Sequence, residues 1–85
     1  MIIKETVIDK IEVMSETGHV LVRRATYFTE DGKRVSEPQY YRDAYFPGAD
    51  VSKEDIRIIS ICGLIWTKEV VDAFNAKVAK EEKNG

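Results

Sequence analysis

The sequence predicts an α+β domain, a three-stranded antiparallel meander followed by a C-terminal two-helix hairpin packed on one sheet face. Three observations carry that prediction. Up to Phe46 the chain is rich in β-branched and aromatic side chains, many at alternating positions. Asp31-Gly32 breaks this stretch with a strong hairpin signal, because a type I′ turn needs positive φ at both central residues. After Pro47-Gly48 the apolar residues recur at helical spacing instead.

The first strand is predicted over residues 4–14, where Val7, Ile11 and Val13 fall on alternate positions and Asp9 interrupts the series. The second covers residues 19–29, HVLVRRATYFT. Glu16, Thr17 and Gly18 supply the turn between them, with glycine free to take positive φ. The third strand covers residues 33–46 and contains Pro38, which cannot donate a ladder hydrogen bond and so belongs at an edge or beside a bulge.

Two-residue loops at Thr17-Gly18 and Asp31-Gly32 set a testable register. Val13 then faces Val22, Val7 faces Phe28, Glu30 faces Lys33 and Phe28 faces Val35. One face collects Val7, Ile11, Val13, Val20, Val22, Phe28, Val35 and Tyr41, with Asp9 and Arg24 as diagonal neighbours able to pair. On the other face Glu12 meets Arg23. A one-residue bulge near Glu37-Pro38 would exchange the faces of Tyr40 and Tyr41, so both arrangements stay open.

Ser52, with Asp55 three residues on, opens a first helix over residues 53–65. Ile56, Ile58, Ile59, Ile61, Leu64 and Ile65 make it apolar nearly all round, as in a helix central to the core or covered by a partner. It ends near Trp66, and Thr67 reads as the N-cap of a second helix over residues 68–81. There Val70, Val71, Phe74 and Val78 recur at helical spacing, and Lys77 and Lys80 suit the negative end of the helix dipole. The tail EEKNG is expected to fray.

Eighty-five residues leave room for one domain, residues 1–85. The formal net charge of -2 provides no global field that would draw in nucleic acid or anionic lipid. Cys62 is the only cysteine and lies in the apolar run IISICGLIW, where a buried, inert thiol is expected. A domain this small without disulfides suits a reducing cytoplasm. MIIKETVIDK lacks an apolar signal-peptide core, and no apolar stretch reaches the length of a membrane span.

Catalytic patterns are missing from the sequence. His19, the only histidine, cannot build a zinc site with one distant cysteine, and it reads as an exposed residue flanking a turn. Ser15, Ser36, Ser52 and Ser60 have no base motif nearby. Gly48 precedes a helix whose amides could hold a phosphate, but Asp50 and Asp55 would repel it. Asp43, Asp50, Glu54 and Asp55 lack the alternation of a calcium loop. A non-enzymatic protein with no cofactor or metal is therefore expected.

Two binding chemistries remain. Arg23, Arg24, Lys33, Arg34 and Arg42 interleave with Tyr27, Tyr40, Tyr41 and Tyr45, a mixture that can bind single-stranded nucleic acid. Glu12, Glu30, Asp31, Glu37 and Asp43 share the region and oppose that reading. Alternatively, Tyr40, Tyr41, Tyr45, Phe46 and Trp66 are more aromatic surface than one thin core can bury, and such side chains anchor protein interfaces. With Arg42 as polar anchor, they form the expected partner-binding set. The open sheet also has edges able to pair with another chain.

The segments DGKRVSEPQYYRDAYFPGADVSKED and IWTKEVVDAFNA resemble a loosely defined group of short proteins encoded in tailed-phage and prophage genomes. The resemblance rests on Arg23 and Arg24, Asp31-Gly32, Tyr40 to Arg42, Pro47-Gly48 with Asp50, and Trp66 to Phe74. Tyr41 stands where the group often has histidine. Genes of this group tend to lie among virion and tail genes. The resemblance therefore implies a phage-encoded protein acting by protein–protein contacts, as a minor virion or tail component or an assembly factor. Its partner would be a virion or assembly protein or a second copy, in the host cytoplasm or within the particle. The alternative is a small regulator or inhibitor binding nucleic acid, or a host nucleic-acid enzyme, through Arg23, Arg24, Arg34 and Arg42.

Overall fold

A computed structural model describes residues 1–84 and shows an α+β chain. Its elements are β1 (Ile2–Met14), β2 (His19–Glu30), β3 (Lys33–Arg34) and β4 (Gln39–Tyr45), then α1 (Ile56–Ile65) and α2 (Lys68–Asn84). The sheet is antiparallel and β2 is its hub, pairing with β1, β3 and β4. The chain divides into two compact units. One holds Met1–Glu12 with Leu21–Ala44, and the other holds Val13–Val20 with the described residues from Tyr45 onward.

In the first unit the Asp31-Gly32 turn is as the sequence predicts. Asp31 and Gly32 both take positive φ, at 52° and 83°, and Glu30 faces Lys33 across it. The Val35 N–H donates to the Phe28 carbonyl at 2.9 Å, as in the predicted facing of those residues. The predicted third strand then breaks. Ser36 Oγ accepts the Phe28 N–H at 2.9 Å, standing in for a backbone acceptor, and Pro38 brings no donor. β3 is therefore two residues long, and pairing with β2 resumes only in β4. Tyr40 and Tyr41 are both outside the core, at 44 % and 55 % exposure.

The predicted β1–β2 register is corrected. Residues 15–18 form the turn, with the Thr17 and Gly18 N–H groups both donating to the Met14 carbonyl at 3.2 and 2.7 Å. Across the strands Thr6 hydrogen-bonds Thr26 through their hydroxyls at 2.9 Å, and Asp9 pairs with Arg23. Even positions thus meet even ones, where the two-residue loop had even facing odd. The buried side chains of β2 also change parity along the strand, from Val20 and Val22 to Ala25, Tyr27 and Thr29. Ala25, Thr26, Tyr27 and Thr29 are buried, whereas Val7, Phe28, Val35 and Tyr41 of the predicted face are exposed. Val20 and Val22 are buried as that face required. The charge partners change too: Arg24 pairs with Asp43 and Glu12 with Lys10.

In the second unit Gly18 makes a close approach. Its φ is 83°, and a Cβ placed there would lie 2.6 Å from Val70 Cγ1 and 3.2 Å from Pro47 Cγ. Trp66 Nε1 donates to the Gly18 carbonyl at 2.6 Å. Helix α1 begins at Ile56, later than predicted, because Asp55 is its N-cap and accepts the Arg57 N–H at 2.8 Å. Ser52 is occupied elsewhere: its N–H and hydroxyl both donate to Asp50 Oδ1, at 3.0 and 2.6 Å. On α1, Ile58 and Cys62 are buried, while Ile56 and Leu64 are 70 % and 78 % exposed, so one side of this apolar helix is open.

The helix junction follows the prediction. The Trp66 N–H closes α1 on the Cys62 carbonyl at 2.8 Å, and Thr67 Oγ1 accepts the Val70 N–H at 3.3 Å to cap α2. Val70, Val71, Phe74 and Val78 are the half-buried stripe of α2. That helix runs to Asn84, past the predicted end and through most of the tail expected to fray. Glu and Lys are good helix formers, which suits the extension. Gly85, the last residue of that tail, lies outside the described residues.

Candidate functional site

The candidate surface is built on β2 and β4 of the first unit. Arg23 is fixed twice: its Nε donates to Asp9 Oδ2 at 2.6 Å, and its guanidinium lies 4.4 Å from the centroid of the Tyr40 ring. Arg24 pairs with Asp43 at 2.5 Å. Arg34 lies over Tyr27, 3.9 Å from the ring centroid, on the diagonal that the Thr29–Arg34 pairing allows. Beside these pairs is a cleft of about 280 Å³ lined by Lys10, Glu12, Leu21, Arg23, Arg42 and Asp43 among others. Lys10 and Glu12 bridge at 2.7 Å, and the ammonium holds the Glu12 carboxyl below the usual carboxylate range. Arg42 is exposed and has no ion pair among the described residues.

The predicted partner-binding set divides between the units. Tyr40, Tyr41 and Arg42 stand together on β4 in the first. Tyr40 is fixed under Arg23, and the Tyr41 hydroxyl donates to Gln39 Oε1 at 3.3 Å. Tyr45, Phe46 and Trp66 belong to the second unit, where Tyr45 and Trp66 are half-buried. Phe46 stacks on Phe74 at 5.9 Å between centroids and 8° between planes, and Trp66 ties down Gly18. These last two contacts are internal to the unit.

His19 is half-buried, which corrects the exposed setting predicted for it. Its ring meets Phe46 and Phe74 edge-on, at 4.7 and 5.8 Å, and Nδ1 is 2.5 Å from Thr17 Oγ1. It borders a cleft of about 390 Å³ whose walls include Glu16, Glu69, Phe74 and Lys77. Burial pushes the Cys62 thiol up, away from its reactive thiolate. No group of three or more His, Cys, Asp or Glu side chains able to hold a metal ion occurs among the described residues.

Comparison with protein-family models, curated proteins and solved structures finds no match. The geometry therefore carries the functional reading. Sequence reasoning missed Asp43 as the partner of Arg24 and Tyr40 as the platform under Arg23. Both depend on how β4 rejoins β2 after the break at Ser36, which no local motif encodes. None of the described helices is long and apolar enough to cross a membrane.

Proposed function

We propose that this chain is a non-enzymatic, phage-encoded protein that works by protein–protein contact, as a minor virion or tail component or an assembly factor. The observation that carries the reading is the β4 triplet. Exposed Tyr40 and Arg42 share one face of the strand, with no ion pair to Arg42 among the described residues, and exposed Tyr41 stands on the other face. Tyr and Arg dominate interface hot spots, because they combine large contact area with few conformational degrees of freedom or with forked hydrogen bonding. Arg23 holds Tyr40 in place before any partner arrives, which lowers the ordering cost of association. A partner presenting a carboxylate to Arg42 and an apolar ridge to Tyr40 fits this face.

The phage assignment rests on the resemblance of the Arg23–Phe74 region to short tailed-phage proteins. The nucleic-acid alternative is less well supplied. Arg23 and Arg24 already face carboxylates, and Arg34 is engaged with Tyr27, so fewer cations are open to phosphates.

The test is retention in purified phage particles, measured by quantitative mass spectrometry. Wild-type chain is expected to co-purify, and a Tyr40→Ala/Tyr41→Ala/Arg42→Ala variant is expected to fall by at least about tenfold. Equal retention of the two, or absence of wild-type chain from both particles and assembly intermediates, would refute the reading.

A further inference from the structure

Among the described residues strand β1 has one partner, β2, so its other edge carries unpaired backbone donors and acceptors. From Lys4 to Glu12 that strand is largely exposed, with only Ile8 and Ile11 half-buried. Such an edge accepts another strand, and the order of its side chains specifies which one. The geometry points to a second copy of this chain, paired antiparallel through β1 about a two-fold axis at Ile8.

The argument is one of symmetry and charge. A two-fold axis normal to a continuous antiparallel sheet must pass through a single residue position, which then faces its own equivalent. Because β1 runs from Ile2 to Met14, the registers that pair most of its length have the axis at its centre, Ile8, or at the neighbouring Val7 or Asp9. With the axis at Val7, Lys4 meets Lys10 and Glu5 meets Asp9, so like charges oppose each other on both sides of the axis. With the axis at Asp9, that aspartate faces itself. With the axis at Ile8, Lys4 of each copy faces Glu12 of the other, so two opposite-charge pairs flank an isoleucine pair on the axis. Thr6 then faces Lys10, and Glu5 faces Ile11, with no like-charge pair. Asp9 opposes Val7 in this register, but its charge is already met by Arg23. Glu12 sits beside its own Lys10, so each Lys4 would join a Lys–Glu–Lys cluster. This edge is independent of the β4 triplet, so the two surfaces can be tested apart.

Sedimentation velocity on the full chain, from about 10 µM to 1 mM, reads the association. A seam of one strand pair belongs to the small, transient class of interfaces, and a dissociation constant on the order of 100 µM is expected. Lys4→Glu and Glu12→Lys each put like charges at two symmetric positions and should weaken self-association at least about tenfold. Mixing the two variants restores both opposite-charge pairs and should restore dimerisation. The Lys4→Glu/Glu12→Lys double variant, complementary again, is a second readout. Each variant is first matched to wild type by far-UV circular dichroism. Three outcomes overturn the inference: a wild-type chain monomeric at 1 mM, single variants that dimerise like wild type, or folded variants in which neither mixing nor the double substitution recovers association.

Discussion

Replacing Gly18 by alanine separates backbone strain from packing, because the fold supplies its own controls. Gly18, Gly32 and Gly48 take similar positive φ values, 83°, 83° and 90°. An alanine at any of them is held in a conformation that L-residues rarely adopt, at about 1–3 kcal/mol. The loss of glycine's freedom in the unfolded chain returns about 0.4–1 kcal/mol of that. Their surroundings differ. A Cβ at Gly32 meets nothing within 4 Å, one at Gly48 touches Val71 Cγ1 at an ordinary 3.4 Å, and one at Gly18 runs into Val70 Cγ1 at 2.6 Å. Val70 is β-branched, with little torsional freedom on α2, and Pro47 crowds the same space. Overpacking of this kind adds about 1–3 kcal/mol. Gly18→Ala should thus cost about 2–4 kcal/mol, against roughly 0.5–2 kcal/mol for Gly32→Ala and Gly48→Ala. In urea, with m about 1–2 kcal/mol/M for a chain this size, its midpoint should fall about 1 M or more below those of the other two. Val70→Ala removes the clashing carbon, so the double variant should recover about 1 kcal/mol relative to additivity. If the three glycine variants agree within about 0.5 kcal/mol, the close approach at Gly18 has no energetic consequence and the reasoning fails.

Other predictions follow from single contacts. Trp66→Phe leaves the Gly18 carbonyl without its indole donor and should destabilise the fold by about 1–3 kcal/mol, measured by urea unfolding. Asp50 is held below the usual aspartate range by the Ser52 hydroxyl and N–H. Its contribution to stability is therefore complete above the unfolded-state value, about 3.9, and is lost as pH falls through the lower folded value. Ser52→Ala should move the Asp50 carboxyl titration upward in a carbon-detected NMR experiment. Cys62, buried and shifted towards the neutral thiol, should react with Ellman's reagent at pH 8 at least about 100-fold more slowly in the folded protein than in urea.

Where structure depends on neighbours in sequence, it was legible. Asp31-Gly32 specifies positive φ twice and so sets Glu30 opposite Lys33. Thr67, Trp66 and the stripe from Val70 to Val78 mark the helix junction and the packed face of α2. Where two local solutions compete, the sequence was ambiguous. Gly18 closes both the predicted two-residue loop and the observed turn, in which the Thr17 and Gly18 N–H groups return to the Met14 carbonyl, yet the choice changes which β1 residues meet β2. Ser52 and Asp55 are both good caps, and Asp50 decides between them by capturing the Ser52 N–H. The candidate surface was half legible. Tyr40, Tyr41 and Arg42 are exposed together, whereas Phe46 and Trp66 engage Phe74 and Gly18, because long-range packing and not residue type sets which aromatics are left over.

The hydrogen bond from the Phe28 N–H to Ser36 Oγ has a consequence for how far assembly can go. It interrupts the sheet boundary opposite β1 after β3, and Pro38 extends the gap until β4. A chain with two unbroken edges can stack without limit into fibres. With one unbroken edge and one notched by Ser36 and Pro38, a pair joined through β1 has used its longest template and keeps only the shorter, interrupted edge for further pairing. Restoring the second edge, by Ser36→Val with Pro38→Thr, would then convert a self-limiting pair into a filament-forming chain, detectable as a thioflavin-positive, sedimenting species.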